Sequence, residues 1–97
     1  MRPLRNDPLK AERIAELLKA VAHPLRIRIV AVLCTGEVTV GDLGDRLDAP
    51  QPIVSQQLRI LRAQGLVAVK REGGFARYRI AEPQLRDLVC CMEKCSR

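Results

Sequence analysis

The sequence predicts a mainly α-helical domain with one small β-hairpin, in the order α-α-α-α-β-β-α. Three observations carry that expectation: apolar residues recur at helical spacing in five segments, prolines stand at the starts of most of them, and Gly73-Gly74 separates two short alternating runs. The 97 residues suffice for a single domain, 1–97, with a modest hydrophobic core, and a content of 47% hydrophobic and 29% charged residues is that of a globular chain. The longest uncharged apolar run, Ile29 to Leu33, is too short to span a bilayer, so no membrane partner is expected. The opening MRPLRNDPLK has charge but no apolar run or cleavage site, so the expected location is cytoplasmic and the four cysteines are expected to be reduced thiols.

From Pro8 to Val21, the residues Ile14, Leu17, Leu18 and Val21 fall at i, i+3, i+4 and i+7, the spacing of one helical face. His23-Pro24 ends that helix and places a proline near the start of the next. The second helix, Pro24 to Cys34, has one apolar face in Leu25, Ile29, Val32 and Leu33 and another in Ile27 and Val30, a pattern for burial on two sides. Thr35 and Gly36 stop it. Thr39 followed by Asp42 is a capping-box-like start for a short third helix, with Val40, Leu43 and Leu47 as its stripe and Gly44 admitting a close neighbour. Pro50 and Pro52 lack amide protons, which a helix tolerates only in its first turn, so a fourth helix begins there and runs to Gln64, where Gly65 stops it. LVAVKRE and FARYRIA then form the hairpin around Gly73-Gly74. A fifth helix starts at Pro83 with Leu85, Leu88, Val89 and Met92 as its apolar face.

Charge and face composition give these elements a function. Residues 51–80 hold six basic side chains, Arg59, Arg62, Lys70, Arg71, Arg77 and Arg79, against the single acid Glu72, whereas the rest of the chain is nearly neutral. A clustered basic surface suits a polyanion, because each neutralised phosphate releases counterions. On the fourth helix Val54, Leu58 and Leu61 cluster on one side, with Ile53 and Ile60 beside them, and the opposite arc carries Gln51, Ser55, Gln56, Arg59 and Arg62. That arc has amides that pair with adenine, guanidiniums that pair with guanine, and no carboxylate to repel phosphate. A short helix, a tight turn and a polar-faced second helix make a helix-turn-helix over 39–65, and the hairpin over 66–81 is a wing whose Lys70, Arg71 and Arg77 suit the DNA backbone. No nucleophile-base-acid set or phosphate loop is present in the sequence, so an enzyme is not expected, and DNA binding needs no cofactor.

With these elements in place, the chain resembles the ArsR/SmtB family of winged helix-turn-helix repressors. The matching stretches are LLKAVAHPLRIRIVAVL, GEVTVGDLGDRL, PQPIVSQQLRILRAQGLV and REGGFARYRI, which together span residues 17–80 in the family's order. The resemblance implies a homodimer joined through its first and last helices, 8–21 and 83–95, on an inverted repeat of double-stranded operator DNA. Ile14, Leu17, Leu88 and Met92 are the candidate interface residues. It also implies that Gln51, Pro52, Ser55 and Gln56 read the bases, in agreement with the helical wheel. Pro50 stands where the family usually opens that helix with Ser.

The inducer is less determined. The family's third-helix Cys pair is Thr39 and Gly41 here, and with one His in the chain, His23, the zinc site of its last helix cannot be built. His23 is expected to be structural. LVCCMEKC, residues 88–95, crowds three of the four cysteines near the C-terminus. Cys91 and Cys95 at i and i+4 face the same way, and Cys90 joins them only if the helix unwinds after Val89. Three thiolates suit a soft three-coordinate ion, so Cys90, Cys91 and Cys95 are the expected site for trivalent arsenic or antimony as inducer, with cadmium or lead as other thiophilic candidates. The family's arsenite sensors include members with such C-terminal cysteines. Two alternatives stand beside it. Cys34 with a last-helix Cys makes a thiol-redox or persulfide sensor, although the family's second-helix Cys position is Ala31 here, and a winged helix used for protein contact needs only structural cysteines.

Overall fold

The computed structural model describes residues 2–95. After a single 3-10 turn at Leu4–Asn6, the chain forms α1 (Pro8–Val21), α2 (Pro24–Leu33), β1 (Val38–Thr39), α3 (Val40–Leu47), α4 (Gln51–Ala63), β2 (Val67–Glu72), β3 (Phe75–Ile80) and α5 (Pro83–Lys94). The mainly helical winged architecture is therefore as expected, with one addition. Val38 and Thr39 pair antiparallel with Tyr78 and Arg77, so the hairpin grows into a three-stranded sheet in the order β1-β3-β2. Two residues are too few for alternation to announce a strand, and only the arrival of β3 supplies its partner.

Local chemistry sets most boundaries. Asp7 caps α1 by accepting the Lys10 amide at 3.2 Å, and Thr39 caps α3 by accepting that of Asp42 at 3.2 Å. His23 is structural as expected: it caps α2, its Nδ1 accepting the Leu25 amide at 3.2 Å. Pro50 occupies the cap of α4 with no side-chain hydrogen bond, yet the helix starts there, because Pro52 pre-sets a helical φ in the first turn. Gly65, with φ +73°, ends it, the Leu66 amide reaching back to the Leu61 carbonyl at 3.0 Å. Gly73 and Gly74, at φ +53° and +83°, form the tight hairpin turn that matches the twist of the strands.

The core joins all five helices to the base of the sheet. Ile29, Val30, Leu33, Leu43, Val54, Leu58, Leu61 and Leu85 have no exposed surface, and Leu17, Val67, Ile80 and Val89 complete the cluster. Gly44 permits the close α3–α4 turn, since a Cβ there would meet the Ala49 carbonyl oxygen at 3.2 Å. Three expectations about exposure are corrected. Leu17 is buried within its own chain while Leu18 faces outward. Ile27 on the second apolar face of α2 is 40% exposed, and Ile53 is 44% exposed rather than sheltered beside the core stripe. Around Leu18, Ile27 and Ile53 neighbouring helices cover less of the apolar arc than the wheel allows. Among the described residues no helix is long and apolar enough to cross a membrane.

Candidate nucleic-acid interface and thiol centre

α3 and α4 are joined by Asp48, Ala49 and Pro50, and Val54, Leu58 and Leu61 pin α4 to the core, which turns its polar arc outward. Gln51, Pro52, Gln56, Arg59 and Arg62 are exposed, and Ser55 is half-buried beside them. Ile53, which the wheel had placed beside the core, joins this surface three residues before Gln56 and offers an apolar edge of the kind that meets a thymine methyl. Its signal in the sequence was its place on the rim of the apolar arc.

The wing residues divide between two faces. Lys70 pairs across the strands with Arg77, and Ala68 with Arg79, so three cations share one face of the hairpin. Like charges directly opposite repel one another, and the exposed Lys70–Glu72 contact at 3.8 Å offsets little of that repulsion. Such a pairing is relieved by an external anion. Arg71 lies on the other face with Val69 and Tyr78, where it lines a cleft of about 220 Å³ with Ser55, Arg59, Arg62 and Tyr78. The expected grouping of Lys70, Arg71 and Arg77 at one tip thus becomes two patches, because strand alternation sends adjacent residues to opposite faces. Among the described residues Arg59, Arg62 and Arg71 have no carboxylate within salt-bridge distance. Phe75, 62% exposed, stands at the turn.

The cysteines are arranged differently from the three-thiol expectation. Cys34, the residue that ends α2, is disulfide-bonded to Cys90 on α5 across 56 residues of sequence, with a Cα–Cα distance of 6.0 Å. That separation lies within the ordinary range for a disulfide. Cys91 and Cys95 are free and exposed. α5 stays helical to Lys94 instead of unwinding after Val89, and along a helix Cys90 points about 100° away from Cys91. Among the described residues no group of three or more His, Cys, Asp and Glu side chains is placed to hold a metal ion. The expectation that all four cysteines are reduced is corrected at the same place. The displacement of Cys34 by one turn from the family's usual position does not prevent pairing, because α5 crosses the end of α2.

Beside the disulfide runs an apolar groove of about 470 Å³ between α1, α2 and α5, lined by Leu18, Val21, Ile27, Ala31, Leu88 and Met92 among others. Leu18, Ile27 and Met92 are exposed to 45%, 40% and 56%. Three of the most exposed large apolar side chains thus share one concave face.

A five-helix domain that presents a carboxylate-free polar helix beside a basic wing is a winged helix-turn-helix of the DNA-binding kind. The chain belongs to the arsR family of bacterial regulatory proteins, whose model matches residues 23–69. It is a transcriptional repressor of the ArsR/SmtB type. It is 41% identical over 87 residues to the biofilm growth-associated repressor of Agrobacterium fabrum, covering 90% of this chain and 74% of that protein. It is 46% identical over 74 residues to the HTH-type transcriptional repressor SmtB of Mycobacterium tuberculosis, covering 76% and 55%. The crystal structure of the transcriptional repressor BigR from Xylella fastidiosa superimposes with a TM-score of 0.87 at 36% identity, covering 98% of this chain and all of that one.

Proposed function

We propose that this protein is a thiol-responsive repressor, a homodimer that holds operator DNA with α4 and the wing while Cys34 and Cys90 are reduced and releases it when they are joined. What supports this reading is the Cys34–Cys90 pairing between two helices, in a chain whose other two cysteines stay free. Disulfides in reducing compartments are usually transient and serve catalysis or sensing.

The oxidant class is a sulfane sulfur donor such as a hydropolysulfide. One thiol, reacting as its thiolate, attacks a sulfur of hydrogen disulfide, breaks the bond between its two sulfurs, releases hydrogen sulfide and becomes a persulfide. The second thiol attacks the inner sulfur of that persulfide and expels the outer sulfur as another molecule of hydrogen sulfide. Two thiols and one hydrogen disulfide thereby give one protein disulfide and two molecules of hydrogen sulfide. The bond ties α2 to α5 behind the apolar groove that, in this reading, a second copy covers with its own α1 and α5. A dimer is also what a two-headed reader needs, since half-sites lie about one DNA turn, roughly 34 Å, apart. Redrawing the groove from behind changes that spacing.

Trivalent arsenic or antimony on Cys90, Cys91 and Cys95 is the competing inducer reading, favoured by the two free, exposed thiols. It requires reduced Cys90 and an unwound last turn of α5. Fluorescence anisotropy of labelled operator, titrated with hydropolysulfide, arsenite, cadmium and zinc, separates the two. Hydropolysulfide should release the wild type and Cys91→Ser but not Cys34→Ser. Arsenite release that survives Cys34→Ser and is lost in Cys91→Ser would move the assignment to the metalloid.

A further inference from the structure

The disulfide and the reading helix lie in different parts of the domain, and α2 runs between them. Cys34 follows its last turn, and its buried side chains Ile29, Val30 and Leu33 have no exposed surface, so the helix is packed closely enough to transmit strain along its length. Near its other end stands Arg26, eight residues or about 12 Å along the axis from Cys34. Its guanidinium makes two contacts. Nη1 donates to the Ala20 carbonyl at 2.9 Å, one of the acceptors left open at the end of α1, and Nε donates to Oε1 of Gln57 on α4 at 2.7 Å. Among the described residues this is the one side-chain hydrogen bond from α2 to α4. Gln57 follows Ser55 and Gln56 directly, so a bond that holds Gln57 adds a polar constraint to the roll of α4 that Val54, Leu58 and Leu61 set, and with it to the direction in which those two side chains reach.

We propose that Arg26 is a positioning residue that couples the Cys34–Cys90 pair to the reading helix through Gln57. The proposal rests on the redox reading above. Joining Cys34 to Cys90 displaces one end of α2, and the Arg26–Gln57 contact converts that displacement into a rotation of α4. A dispersed packing route would make this contact dispensable for coupling. Arg28 provides the comparison, since its Nη2 donates to the Leu47 carbonyl at 2.9 Å and ties α2 to the end of α3 instead.

The test is the ratio of operator Kd between oxidised and reduced protein, with the extent of oxidation fixed by thiol titration in every sample. The wild type should show a ratio of about tenfold or more, the range of ordinary allosteric couplings. Gln57→Leu, which removes the acceptor, should bring the ratio to within about twofold of unity while Cys34 and Cys90 still oxidise. Gln57→Glu keeps an acceptor for Arg26 and should restore the ratio even if its added charge weakens both Kd values. Arg26→Lys, whose single ammonium nitrogen replaces two separately placed donors, should fall between them. A contact that only stabilised the fold would shift the melting temperature and leave the ratio intact. A full ratio in Gln57→Leu overturns the proposal and spares the redox reading. A flat ratio in the wild type defeats both.

Discussion

Oxidation of Cys34 and Cys90 should change the stability of the domain by an amount that follows from the chain path. The bond closes a loop across 56 residues, from the end of α2 to α5, and therefore encloses α3, α4 and the wing, all the elements assigned to DNA. Cross-linking a loop of that length removes about 14 cal/mol/K of entropy from the unfolded chain, or about 4 kcal/mol at 25 °C. At about 4–8 °C per kcal/mol for a domain of this size, oxidised protein should melt roughly 15–30 °C above reduced protein. Urea and thermal denaturation followed by circular dichroism check this, at one protein concentration because dimer dissociation also moves the midpoint. The oxidised form should also show a smaller urea m value, since a cross-linked unfolded chain exposes less new surface. Cys34→Ser should melt with the reduced wild type under both conditions. Oxidised and reduced forms within about 1 kcal/mol of each other would refute the loop argument.

On DNA, Gln56→Ala and Ser55→Ala should each cost about 1–3 kcal/mol on the operator and relax base preference in a binding-site selection, whereas Arg77→Ala should weaken all sequences alike and lower the salt dependence by about one counterion. Sedimentation equilibrium should find Leu18→Glu and Met92→Glu monomeric at micromolar concentrations where the wild type is dimeric, with Leu9→Glu, 72% exposed outside the groove, unaffected. Thr39→Ala removes the acceptor for the Asp42 amide and should cost about 1 kcal/mol in urea denaturation.

The order and type of the helices, the wing and the outward polar arc of α4 were legible because they are local. Helical periodicity, the Thr39 cap, the first-turn prolines and the glycine pair each act within a few residues, and so does the split between the Val54, Leu58 and Leu61 stripe and the Gln56 and Arg59 arc. β1 was not legible, because two residues become a strand only when β3 arrives beside them. Nor was the outward turn of Leu18 and Ile53, which depends on how far neighbouring helices cover an apolar rim. The cysteines mark the limit most clearly. In the sequence Cys90, Cys91 and Cys95 are neighbours and Cys34 stands alone, so spacing favours a three-thiol cluster. A helix spreads adjacent side chains about 100° apart, and the crossing of α5 over the end of α2 brings Cys90 to Cys34, with a Cα–Cα distance of 6.0 Å. Which thiols exist was written in the chain, and which thiols meet was decided by helix packing.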